Sequence, residues 1–253
     1  MSNNKNNKPS TQKTPDKFIV SAYINKETAE KAKGVQKKTN VIKSKKMSVS
    51  SKSWLLRQMN DPFAKQAKDM GYRSRACFKI LEINTKYKII KQAKSILDLG
   101  CAPGGWSQIC KNLNPQAKIV ACDLLAIDSL SGVDFLQGDF TDENIQNQIT
   151  AILPTIDLII SDIAPNTTGN FETDHIRIMA ICEQVIEFAK KFLTPDGSLV
   201  MKIFMGSEEK SLIESLKTIF SKTSYFKPKS SRVESKEIYL ACVGFRREAS
   251  VVI

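Results

Sequence analysis

The sequence predicts an α/β protein with a mainly parallel seven-stranded sheet and helices on both faces. Two observations carry that expectation. From residue 95 onward short apolar runs alternate with helical stretches, and aspartates stand at the ends of successive apolar runs. Such alternation implies a parallel sheet covered on both sides, and ligands on such sheets bind beyond the carboxyl ends of the strands.

The elements follow in order. "SILDLG" (Ser95–Gly100) is a buried strand and Trp106–Leu113 a helix. "AKIVACDL" (Ala117–Leu124) is a second strand, and "VDFLQGDF" (Val133–Phe140) contains a third. Asp142–Leu153 reads as a helix and "IDLIISD" (Ile156–Asp162) as the fourth strand. A long helix over Asp174–Leu193 stops at the turn "TPDG", followed by the strand "SLVMKIF" (Ser198–Phe204). A helix over Glu208–Phe220 precedes "SYFKPK" and "EIYLACVGF", two strands with no helix between them and therefore an antiparallel edge. Upstream, "SRACFKILEI" reads as a helix, and Ser51 or Ser53 would cap an earlier one.

Charge is unevenly placed. The 253-residue chain carries a formal +12, yet residues 1–50 hold twelve lysines and three acids, a net of nine. Residues 1–46, rich in Lys, Asn, Thr and Ser, are expected to be a disordered basic tail, with at most a short helix around Lys26–Lys38. A basic tail on a nearly balanced body suits a polyanion partner, most often nucleic acid, or serves solubility alone. No apolar run approaches the roughly 20 residues that cross a bilayer, and the first arginine is Arg57, unlike an arginine-rich presequence. The six cysteines form no C-x-x-C pair and there is one histidine, His175, expected to cap or lie on the surface. A metal site is therefore not expected, and reduced, mostly buried thiols in a cytoplasmic, monomeric protein are.

The loop "LDLGCAPGGW" (Leu97–Trp106) invites close backbone approach, but it lacks the lysine of a phosphate-binding P-loop and the spacing G-x-G-x-x-G. A nucleoside without phosphates fits better. Asp123, about twenty residues beyond the loop, stands where an acid takes both ribose hydroxyls. Asp139 is placed for an adenine amino group, and Asp162 ends the fourth strand. Together these suit S-adenosylmethionine, whose sulfonium tolerates acids that would repel ATP, with Pro103 and Trp106 shaping a wall. A lone aspartate is more often a cap or turn residue; three at successive strand ends weaken that reading.

Lys202 interrupts an apolar strand beside the one ending in Asp162; a strand-end lysine that snorkels to water is the bland alternative. Taken with "DLGCAPGGWSQ", "ACDLL", "GVDFLQGDF", "SDIAPNTTG", "RSRACFKILEI" and "SSRVESKEIYLA", the chain resembles the bacterial ribosomal RNA 2′-O-methyltransferases of the FtsJ/RrmJ type from about Ser50 to Gly244. The resemblance implies a Rossmann-like fold, S-adenosylmethionine as cofactor, and a uridine of large-subunit ribosomal RNA as target, preferably within the subunit. It places a Lys-Asp-Lys-Glu tetrad on Lys79, Asp162, Lys202 and Glu237. It places cofactor contacts on Gly104, Trp106, Asp123, Asp139 and Asp162. Cys101 stands where the family more often has alanine.

The chemistry fits that tetrad. A ribose 2′-hydroxyl is a poor nucleophile, and its proton must leave; a lysine serves as base once burial or a neighbouring cation lowers its pKa. Lys202 is the expected base, with Asp162 orienting it and Lys79 and Glu237 in support. Two basic segments flank the tetrad: "KDMGYRSRACFK" with Lys68, Arg73, Arg75 and Lys79 beside Tyr72 and Phe78, and "KPKSSRVESKE" with Lys227, Lys229, Arg232 and Lys236. Both are expected to contact RNA. The expected organisation is the tail (1–46) and one domain (47–253), divided into a helical RNA-binding part (47–94) and a catalytic core (95–247).

Overall fold

The computed structural model describes residues 60–165, 168–206, 209–232 and 235–246. The basic tail, its short helix and the caps expected at Ser51 or Ser53 lie outside them. Seven strands form one sheet: β1 (Ser95–Leu99), β2 (Lys118–Asp123), β3 (Asp134–Gln137), β4 (Ile156–Ser161), β5 (Leu193–Phe204), β6 (Phe220–Phe226) and β7 (Glu237–Phe245), in the order β3-β2-β1-β4-β5-β7-β6. The first five pair in parallel, while β7 lies antiparallel between β5 and β6.

The described helices are α1 (Pro62–Asp69), α2 (Cys77–Tyr87), α3 (Ile89–Gln92), α4 (Gly105–Leu113), α5 (Glu143–Ile152), α6 (Phe171–Phe192) and α7 (Glu209–Ile219). Successive strand residues point to opposite faces, so each apolar strand feeds two cores. Ile96, Ile119, Ile160, Val200 and Ala241 pack with α1–α4; Leu97, Val120, Ile159, Leu199 and Leu240 pack with α5–α7. That is why these strands read as continuous apolar runs rather than alternating ones. Among the described residues no helix is long and apolar enough to cross a membrane, and no cluster of three or more His, Cys, Asp or Glu could hold a metal. All six cysteines are buried and unpaired.

Several boundaries differ from expectation for identifiable reasons. β6 starts at Phe220 rather than at Ser224, because the buried Phe220 ring packs on Phe245, its ladder partner, at 5.4 Å. The "TPDG" turn loops out within β5: Leu193 pairs with Ile156 and Ser198 with Leu158, and Asp196 takes a left-handed φ of 62°. Helix α6 begins at Phe171, capped by Asn170, whose side chain accepts the Thr173 N–H.

That early start corrects the expectation for His175, which neither caps nor lies on the surface. It is 5% exposed, stacks on Phe171 at 5.8 Å, and faces Gly206, where a Cβ would lie 2.3 Å from its Cε1. Neither ring nitrogen has a hydrogen-bond partner among the described residues.

Among the described residues Asp98 is the acid most completely withdrawn from water. It sits in β1 with no exposed surface; its Oδ2 accepts from the Ser107 hydroxyl at 2.6 Å, while Oδ1 has no partner among the described residues. Burial pushes its carboxyl up to about 7; the Ser107 hydrogen bond opposes this, and the charges of Asp162 and Asp123 add to it. Between about pH 4 and pH 7 the folded chain therefore keeps a proton that the unfolded chain has released, and Asp98 costs stability as pH rises through that window. Asp98→Asn should raise the melting temperature at about pH 8 relative to the parent, and do so much less at about pH 5. Equal shifts at both values would show that Asp98 does not change its protonation on folding.

Candidate active site

The carboxyl ends of β1–β4 open on a cavity of about 520 Å³. Gly100 and Ala102 line it from the glycine loop, Asp123 and Leu124 from the end of β2, Asp139 and Phe140 from beyond β3, and Asp162 and Pro165 from beyond β4. Gly100 needs to be glycine: its φ is +72°, and a Cβ there would lie 2.3 Å from Ile163 Cγ1. All three aspartates picked out in the sequence meet this one space.

Two of these acids are also tied to backbone. Asp123 accepts the Ala102 N–H at 2.8 Å through Oδ2 and the Leu125 N–H at 2.9 Å through Oδ1, which fixes the two loops around it. Asp139 Oδ1 accepts from the Thr141 N–H and hydroxyl, a turn contact, while the cap of α5 is Asp142. Carboxylate oxygens keep further lone pairs for a ligand.

Trp106 and Gly104 are placed differently from Gly100. The Trp106 indole is 3% exposed, packs against Tyr239 at 5.6 Å and donates to the Ala76 carbonyl at 2.9 Å. It is the second residue of α4 and turns with Ile109 and Cys110 into the core. Gly104, φ +95°, faces Arg73 rather than the cavity. Neither borders the cavity.

Beside Asp162 the four tetrad residues come together. Register explains it: Ser161 pairs with Met201, which sets Asp162 beside Lys202, and Phe204 pairs with Glu237, bringing the start of β7 to the same rim. Lys202 Nζ lies 2.9 Å from Asp162 Oδ1 and donates to the Asp162 carbonyl at 2.8 Å. Lys79 Nζ, from α2, lies 2.8 Å from Glu237 Oε1 and 3.9 Å from Asp162 Oδ1. Burial alone would raise the Asp162 carboxyl; Lys202, then Lys79, and hydrogen bonds from Lys202 and Tyr239 outweigh it and hold it below the usual range. Burial likewise opposes ionisation of Glu237, and Lys79 foremost holds that carboxyl low.

Tyr239 was not picked out from the sequence, because a tyrosine in an apolar strand reads as core. Its fully buried hydroxyl donates to Asp162 Oδ1 at 2.6 Å and accepts from Lys79 at 2.9 Å, filling the gap between the two. The signal was its position two residues beyond Glu237, on the same face of the strand. Tyr239→Phe keeps the ring against Trp106 and removes both hydrogen bonds; turnover should fall about tenfold with the KM for methyl donor unchanged. Unchanged turnover would limit the hydroxyl to packing.

The basic segments are more structural than their charge suggests. Arg75 ion-pairs with Asp61 and donates to the Ser230 carbonyl, and Arg232 lies 3.6 Å from Asp61. Glu82 accepts the N–H groups of Lys229 and Ser230 at 2.6 and 2.9 Å, pinning that loop to α2. Ser231 then donates to Glu237 Oε1 at 2.9 Å. Arg73 donates to the carbonyls of Pro103, Asp128 and Ser129 at 3.1, 2.7 and 2.6 Å. Lys68, Lys227, Lys229 and Lys236 are exposed, Lys227 also reaching the Glu237 carbonyl at 2.6 Å and Lys236 covering the Phe171 ring at 3.4 Å.

A sheet of this order, its last strand inserted antiparallel and its acid-lined cavity at the parallel strands' carboxyl ends, belongs to a Rossmann-like methyltransferase. The model of the FtsJ-like methyltransferase family matches residues 72–245, and the chain belongs to that family. It is 47% identical over 207 residues to the ribosomal RNA large subunit methyltransferase E of Rickettsia akari (strain Hartford), covering 79% of this chain and 91% of that protein. The protein of the same name from Acidiphilium cryptum (strain JF-5) is 42% identical, covering 82% and 92%. Among solved structures, a Plasmodium falciparum chain described as a ribosomal RNA methyltransferase superposes with a TM-score of 0.63 at 31% identity, covering 69% of this chain and 98% of that one. Membership implies a methyl donor of the S-adenosylmethionine type.

Proposed function

We propose that the chain methylates the ribose 2′-hydroxyl of a uridine in 23S ribosomal RNA, within the large subunit, using S-adenosylmethionine. One observation carries this reading: Asp162 borders the acid-lined cavity and also holds Lys202, so donor and acceptor sites meet at one side chain. The names of the relatives, at 42–47% identity, support the substrate; the uridine and the assembled subunit rest on the resemblance of the motifs.

The cavity suits a cationic, phosphate-free nucleoside. Three carboxylates would repel a nucleotide phosphate and tolerate a sulfonium. When bound, S-adenosylmethionine supplies a methyl carbon on cationic sulfur. Asp123 would take the ribose hydroxyls and Asp139 the adenine amino group. The acceptor's 2′-hydroxyl must give up its proton as it takes the methyl group. Lys202 is the proposed acceptor of that proton. Two of the N–H directions of Lys202 are taken by the Asp162 carboxylate and carbonyl, which leaves its third direction for the hydroxyl. Lys79, held by Glu237 and Tyr239, places a second cation beside the reacting oxygen. The exposed lysines of the two basic segments, with Arg232, would take flanking phosphates, and the lysine-rich tail would add salt-sensitive affinity.

The test is methyl transfer from labelled S-adenosylmethionine to large subunits from cells lacking this enzyme, with free ribosomal RNA and transfer RNA alongside. A 2′-O-methyluridine on subunits is the expected product. Product on transfer RNA alone would keep the chemistry and change the substrate. No product with donor still bound would make the chain an RNA-binding assembly factor.

A further inference from the structure

We infer that Arg73 is a positioning residue of the methyl-donor site and not a phosphate contact. It latches the glycine loop to the 124–133 loop across the outside of the cavity. The inference rests on the proposed donor site and adds a residue to it.

The guanidinium is a rigid fork of five N–H donors, and here it is committed to backbone. Nη1 donates to Pro103 in the glycine loop and to Asp128; Nη2 donates to Ser129. Both loops carry cavity walls, Gly100 and Ala102 on one and Leu124 and Leu125 on the other. Asp123 ties the same two loops together from inside, through the N–H groups of Ala102 and Leu125. Arg73 and Asp123 are thus two clamps on one pair of loops.

Two further observations show that the latch is built. The Arg73 backbone is itself fixed: its N–H donates to Gln108 Oε1 at 2.9 Å, and Gln108 Nε2 donates to the Gly71 carbonyl at 2.9 Å. Gln108 lies on α4, the helix that leaves the glycine loop. Gly104 makes room for the side chain, since a Cβ there would lie 3.0 Å from Arg73 Nη1 and 3.3 Å from Cδ. Three of its five donors are already taken by carbonyls, so a phosphate would find at most two and would compete with the latch for the fork. Lysine cannot stand in, because a single ammonium cannot reproduce the planar fork that bridges both loops.

The test separates donor from RNA. In the full-length enzyme, Arg73→Lys and Arg73→Ala are compared with the parent for S-adenosylmethionine affinity, turnover at saturating donor, and RNA affinity over a salt series. Both variants should raise donor Kd and KM about tenfold, with turnover at saturating donor nearly unchanged and the salt slope of RNA binding unaltered. Hydrogen exchange should quicken at the amides of residues 124–131 and not in the sheet, which also excludes global unfolding. A salt slope reduced by about one charge in Arg73→Ala, with donor affinity intact, would overturn the latch and return Arg73 to the RNA. Unchanged donor affinity and exchange in both variants would overturn it as well. If the parent itself bound no donor, the proposed function would fall, while the exchange measurement would still decide the latch.

Discussion

Lys202→Met should lower methyl transfer by about 10²–10⁴-fold while leaving donor affinity within about twofold. Methionine fills the volume of the lysine stem, so the replacement removes the amine without opening a large cavity. The split is expected because Lys202 reaches the donor space only through Asp162: its ammonium lies against Oδ1 and the carbonyl, and it does not itself border the cavity. Single-turnover rates at saturating donor and subunit, with donor binding measured separately, give both quantities. Near-parental turnover would remove Lys202 from the reaction; a parallel loss of donor affinity would show that it shapes the donor site instead.

Asp162→Asn should do broader damage. Asp162 collects Lys202, Lys79 and the Tyr239 hydroxyl, and it also borders the donor cavity, so turnover and donor affinity should both fall. It should also cost stability near neutral pH, on the order of 3 kcal/mol, because neutralising one partner of a buried ion cluster leaves lysines under-compensated. The pH dependence has a definite sign. The folded carboxyl titrates below its unfolded value, so its contribution is complete above about pH 4 and disappears as pH falls through the depressed folded value. The gap in stability between parent and variant should therefore be largest near neutrality and close in acid. This is opposite to Asp98, whose cost grows over about pH 4 to 7. A gap that persisted unchanged into acid would trace the loss to packing rather than to charge.

The parallel strands were legible because strands buried on both faces read as continuous apolar runs, and Lys202 stood out by interrupting one. What stayed hidden has physical causes. Helix α1 follows a clear Asp61–Pro62 start, yet Ala67 alone among its residues is buried, so its apolar periodicity is faint. Helix α3 is a single turn. Trp106 follows the glycine loop in sequence, but one step into α4 is enough to turn its ring into the core. Charge alone could not tell where an arginine would point. Arg73 and Arg75 carry the same charge as the exposed lysines beside them, and their partners are backbone carbonyls and Asp61, which no sequence spacing announces. Tyr239 shows the converse, a residue whose apolar neighbours conceal a polar task.

The insertion of β7 between β5 and β6 has a consequence for how the protein comes into being. Glu237 and Tyr239 ride on the last of the described strands, yet that strand occupies an interior place in the sheet. Until it has been synthesised, the outer edge of β5 has no partner strand, and Lys79 has neither of its nearest polar neighbours. A nascent chain could hold the glycine loop, the three aspartates and both lysines without being able to arrange them. Catalytic competence would thus arrive late in translation, in a single step, when an incoming strand closes an exposed edge prone to aggregation and assembles the reaction centre in the same movement.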